Sequence, residues 1–165
     1  MGAQARQLLS DDHEAVHEVL QQLLTALNKK DVQTSHAKLD LLWARLAVHI
    51  RAEHLHLFPA IASEFGEAQS IIDHLRADHD FFMRELAQAI HVIRESDEAK
   101  WVSVGDAICE IEKRLASHNE IEENHIYNLA STLLSEQAQV ELSTRINAEL
   151  EHRPSRFSME TWVNK

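Results

Sequence analysis

The chain has 165 residues, enough for one domain with a real core, and a formal net charge of -11 that opposes binding to nucleic acid. Three Gly and two Pro leave little material for a many-turned β architecture, and the single Cys109 rules out an internal disulfide or a multi-thiolate metal site. Twelve histidines are the compositional excess that needs a reason.

Taken in order, a first amphipathic helix is expected over residues 11–29, with Ser10 or Asp11 as N-cap and Val16, Leu20, Leu23 and Leu27 on one stripe. Asn28-Lys29-Lys30-Asp31 breaks the pattern. The second helix is expected over 32–56, where Leu39, Leu42, Leu46, His49, Glu53 and His56 recur at steps of three and four, before Phe58-Pro59 disturbs it. A third helix over 67–94 carries Ile72, Leu75, His79, Phe82, Leu86 and Ile93 on its stripe. After Glu95-Ser96-Asp97, a fourth over 98–134 keeps the register Val104, Ile108, Ile111, Leu115, His118, Glu122, His125 and Leu129. A shorter fifth helix over 136–151 precedes Pro154 and an irregular tail with Phe157 and Trp162, which is expected to pack across one end.

Two halves repeat. Leu46-Ala47-Val48-His49 followed by Glu53 and His56 returns as Leu115-Ala116-Ser117-His118 followed by Glu122 and His125, and each is preceded by an Asp-His pair, Asp12-His13 and Asp78-His79. The expectation is all-α: an up-down-up-down four-helix bundle made from a duplicated helical hairpin, with a short fifth C-terminal helix. Residues 1–165 are read as one domain, the bundle over about 10–134 and the C-terminal helix and tail over about 135–165. No apolar run reaches bilayer-spanning length and the first ten residues lack a signal-like apolar stretch, so no membrane contact and a cytoplasmic location are expected.

The stripes face the bundle core, yet at His13, His49, Glu53, His79, His118 and Glu122 they place imidazole or carboxylate there. A buried, unpaired Glu costs several kcal/mol, and a metal cation removes that cost by making the group a ligand. Residues four apart sit one turn apart on one face, so His49 with Glu53, and His118 with Glu122, can each reach one centre. Four imidazoles and two carboxylates exceed what one tetrahedral zinc takes and suit two ions, each with two His, bridged by Glu53 and Glu122. Such donors favour iron (Fe2+/Fe3+) ahead of manganese and zinc. His56 and His125, one turn beyond each Glu, are second-tier candidates, either as extra ligands or as groups behind the ligands. Cys109, one step from Ile108, is expected to pack as a small side chain; Tyr127, two residues past His125, is within approach of the site although the period does not place it squarely in the core; His54 and Glu123 are left out of the site.

With Asp12-His13, His49-x-x-x-Glu53 running into Leu57-Phe58-Pro59, Asp78-His79 and His118-x-x-x-Glu122 on the page, the chain resembles the hemerythrin-like (HHE cation-binding) domain family from about residue 10 to 134. It departs from the oxygen carriers of that family, which have His-x-x-x-His on the third helix where this chain has Leu75 before His79, and His-x-x-x-x-Asp on the fourth. The four-His, two-Glu set resembles instead the di-iron repair proteins of nitrosative stress and the hemerythrin-like proteins that handle peroxide or nitric oxide.

The resemblance implies two iron ions, bridged by oxo or hydroxo and carboxylate groups, that react with or sense O2, peroxide or nitric oxide. The alternative is an iron- or oxygen-sensing or iron-storage module acting through a protein partner without catalysis. A metal-free bundle with satisfied core histidines is the third reading. No catalytic residue is assigned, since neither an acid/base dyad nor a phosphate-cradling Gly-rich loop is evident.

Overall fold

The computed structural model describes residues 4–95 and 97–152, and the expected tail with Phe157 and Trp162 lies outside them. Helices α1 (Ala5–Asn28) and α2 (Val32–Ala52) form the first hairpin; α4 (Gln69–Arg94) and α5 (Trp101–Ile121) form the second. Each hairpin is extended beyond its second helix by a π-helical turn, Glu53–Leu57 or Glu122–Ile126, and a short α-helix, α3 (Phe58–Glu64) or α6 (Tyr127–Leu133). The C-terminal helix α7 (Glu136–Glu151) follows, and among the described residues there is no strand.

Local chemistry fixes the joints. The first is a Schellman ending to α1: Asp31 N–H donates to the Ala26 carbonyl and Lys30 N–H to the Leu27 carbonyl, both at 3.0 Å, with Lys30 at φ 54°. Asp31 then caps α2 by accepting from the Thr34 N–H, and Ser135 caps α7 by accepting from the Ala138 N–H. α1 begins at Ala5, six residues earlier than the sequence pattern suggests, so neither Ser10 nor Asp11 is its cap. The reason is tertiary. Ala5 and Leu9 are buried in a cluster with Leu142, Ile146 and Leu150 of α7, so docking of α7 gives the first turns of α1 an apolar partner. Burial of such Leu and Ile side chains contributes about 1.5–3 kcal/mol each.

Two apolar clusters fill the bundle. One gathers Val16 to Leu23, Leu39 to Ile50, Phe82 to Ile93 and Val104 to Leu115 around Trp43. The other gathers Leu9, Ala52, Leu57, Phe58, Ile61, Leu75, Ile126 and Tyr127 beneath α7. On every long helix the polar stripe residues fall between a residue of one cluster and a residue of the other: His13 between Leu9 and Val16, His79 between Leu75 and Phe82. The candidate site is a polar layer with apolar matter above and below.

Candidate metal centre

All six stripe residues converge. His13, His49, His79 and His118 are at most 7 % exposed, and Glu53 and Glu122 are wholly buried. Their donor atoms form two groups of metal-binding dimensions, His13–His49–Glu53–Glu122 and His79–His118–Glu122. Each carboxylate divides its oxygens between the groups. Glu53 Oε1 lies 3.2 Å from His49 Nε2 while Oε2 lies 3.3 Å from His79 Nε2. Glu122 Oε2 lies 3.2 Å from His13 Nε2 while Oε1 lies 2.9 Å from His118 Nε2.

Three of these atoms, His49 Nε2, Glu53 Oε2 and Glu122 Oε1, are buried without an aligned hydrogen bond and meet only the charge of a neighbour, at 2.9–3.3 Å. His79 Nε2 and His118 Nε2 face one another at 2.9 Å. Inward-facing lone pairs of this kind are what a cation accepts, so the donor set fits a metal.

The outer ring nitrogens are held from behind. His49 Nδ1 meets Asp12 Oδ2 at 3.0 Å, His118 Nδ1 meets Asp78 Oδ2 at 3.1 Å, and His13 Nδ1 meets Glu123 Oε1 at 2.9 Å. His79 Nδ1 meets His54 Nε2 at 2.9 Å. Arg114 in turn donates to Asp78 Oδ1 from Nε at 2.8 Å and from Nη2 at 2.7 Å. A partner on Nδ1 fixes which nitrogen carries the proton and leaves Nε2 directed inward.

The charges respond to this crowding. Burial alone would lower the pKa of His49, but Glu53 and Asp12 reverse that and raise it well above the ordinary value. His118 likewise overcomes burial through Glu122 and Asp78 and is raised to about 9. For His79 burial prevails over Glu122 and Glu53, and its pKa is lowered. Burial would raise Glu122, yet the neighbouring His118, with His13 and His79, holds it well below the carboxylate range.

Three groups that the period of the stripe did not place in the core contact the site. Tyr127 is buried, and its hydroxyl lies 2.7 Å from Glu53 Oε1, 3.2 Å from Glu122 Oε2 and 3.0 Å from His13 Nε2. Burial, then Glu122 and Glu53, raise its pKa well above the usual value, so it stays a neutral donor. The other two are Glu123 and His54, omitted from the site on the sequence but in contact with His13 and His79.

The same cause brings Tyr127 in and sends His56 and His125 out. In the π turns the Phe58 N–H bonds to the Glu53 carbonyl and the Tyr127 N–H to the Glu122 carbonyl, five residues back, which admits one extra residue per turn. The buried face therefore shifts from the expected His125 and Leu129 to Ile126, Tyr127 and Ala130, and His125 is exposed. His56 is half-buried, 3.4 Å from Glu149 of α7, and belongs to neither donor group. Pro59 does not stop the helix; it sits in the first turn of α3, where its missing N–H is tolerated. Cys109 is exposed rather than packed, because it lies one step round from the buried Ile108.

Helices that converge four imidazoles and two carboxylates on a buried polar layer define a cation-binding helical bundle. The chain belongs to the hemerythrin family: the family model described as "Hemerythrin HHE cation binding domain" matches residues 4–130. Comparison with curated proteins and with solved structures returned no match. No helix among the described residues is long and apolar enough to cross a membrane.

Proposed function

We propose that this protein binds two iron ions, with His13 and His49 as terminal ligands of one, His79 and His118 of the other, and Glu53 and Glu122 bridging them. The observation that carries the reading is the division of each buried carboxylate between two imidazole pairs. A single ion would leave half of those oxygens unused, and zinc would be content with four donors. Mixed imidazole and carboxylate donors suit iron best, ahead of manganese.

Iron bound there would supply one-electron chemistry and affinity for O2, peroxide or nitric oxide, the ligand class we assign to the site. The chain's own residues do the rest. Asp12, Asp78, Glu123 and His54 fix the imidazoles, the two apolar clusters limit water at the layer, and the Tyr127 hydroxyl holds Glu53. The exposed, lone Cys109 suits a reducing compartment, which supports a cytoplasmic setting.

The test is to load the metal-stripped protein with ferrous iron without air, then admit O2, hydrogen peroxide or nitric oxide in separate samples. New near-ultraviolet or visible bands that appear with at least one of them, and are absent from the Glu53→Ala plus Glu122→Ala variant, are expected. Spectra unchanged by all three would remove the assigned ligand class.

A further inference from the structure

The two halves are related by a repeat, but the repeat is broken at two places beside the ligands. Position 123 follows Glu122 as position 54 follows Glu53; the first is Glu and the second is His. Glu123 Oε1 sits 2.9 Å from Nδ1 of His13, and His54 Nε2 sits 2.9 Å from Nδ1 of His79. Position 127 corresponds likewise to position 58. Tyr127 stacks on His13 with ring centroids 5.6 Å apart, and Phe58 stacks on His79 at 6.0 Å. The Tyr127 hydroxyl contacts Glu53 Oε1 and Glu122 Oε2, the two oxygens that face His49 and His13, whereas the Phe58 ring offers no such group.

We infer that the two metal positions are chemically unequal, the one between His13 and His49 binding its ion more tightly and filling first. This rests on the di-metal reading above and goes beyond it. A carboxylate accepting the Nδ1–H of an imidazole polarises the ring and makes Nε2 a stronger donor, and loss of such a partner typically costs about 10–100-fold in metal affinity. Both imidazoles of the first position are backed by a carboxylate, Asp12 and Glu123. In the second, His118 has Asp78, but His79 meets an imidazole nitrogen of His54 where the other three ligand rings meet a carboxylate. The Glu123 side chain is 41 % exposed, so water screens its charge and the difference belongs near the lower end of that range, about 10-fold. Glu123 and His54 are thus positioning residues that set the order of filling.

The experiment is calorimetric titration of the full, metal-stripped chain with ferrous ion under argon, with crystals grown at one equivalent to locate the iron by anomalous scattering. Two steps are expected, separated by more than the statistical factor, with the first ion between His13 and His49. His54→Glu should tighten the second step about 10-fold, and Glu123→Gln should weaken the first by about as much, with the helical circular dichroism unchanged in both. Two equal steps, a first ion between His79 and His118, or variants that leave the separation unaltered would overturn the inequality while leaving a di-metal site in place. Uptake of no iron, or of one, would instead remove the reading on which it rests.

Discussion

His118 shows how single residues set the behaviour of the layer. Its pKa of about 9, reached against burial through Glu122 and Asp78, means that the metal-stripped chain carries a proton on that ring at neutral pH. Unfolded, the ring returns to about its ordinary 6.5. The folded pKa being the higher, its contribution to stability is complete below pH 6.5 and is lost as pH rises through about 9. His49 shifts in the same direction, and Glu122, held low, is ionised throughout this window. The melting temperature of the stripped protein should therefore fall between pH 6.5 and 9.5, by about 2–4 °C for each kcal/mol lost, as followed by circular dichroism. A flat or rising profile would contradict the assigned charges. An ion must displace the same protons, so metal uptake at pH 7 should acidify a weakly buffered solution. Tyr127 gives a second handle. Tyr127→Phe keeps the ring but removes the donor to Glu53, and should cost the stripped protein about 1–3 kcal/mol in urea denaturation. The natural Phe58 at the matching position shows that a phenyl ring can pack against a ligand imidazole of this layer, so a larger loss would point to a packing fault instead.

At the scale of elements, helix stripes made six donors legible, because steps of three and four put His49 with Glu53 and His118 with Glu122 on the core face. The π turns were not legible. Pro59 lacks the N–H that an α-helix would have used there, and Phe58-Pro59 read as a disturbance; its counterpart, Asn128, gives no signal at all. One extra residue per turn is what moved Tyr127 inward and His56 and His125 off the face, so an α-period extrapolation past Glu53 and Glu122 had to fail. The early start of α1 was hidden for another reason, since its partner α7 lies more than a hundred residues away. Asp12 and Asp78 were visible as parts of a repeat, but their service to His49 and His118 on the next helix needs the bundle assembled. The joint between α1 and α2 is a place to improve the protein. Lys30 occupies the left-handed region at φ 54°, where glycine meets no Cβ penalty. Lys30→Gly should then be neutral to stabilising by about 0.5–1 kcal/mol in chemical denaturation, the relief of strain opposing the added freedom of the unfolded chain. Marked destabilisation would mean that the lysine side chain, not the backbone, holds the joint.

For the whole molecule, the layered arrangement explains why a bundle tolerates four buried histidines and two buried glutamates. The two apolar clusters supply the folding free energy, and the layer between them is left with donors that only a cation satisfies together. Metal should therefore add stability through binding to the folded state alone, and chelation should lower the melting temperature without dissolving the helices. Family membership rests on residues 4–130, while α7, wholly beyond that match, closes the end of the bundle through Leu142, Ile146 and Leu150 and pairs Glu149 with Arg51 at 3.0 Å. The central claim is that Glu53 and Glu122 bridge two ions. It is tested most directly by anaerobic ferrous titration of the metal-stripped protein, with bound iron counted per chain. The claim requires saturation at two irons per chain, and a plateau at one or at none would contradict it.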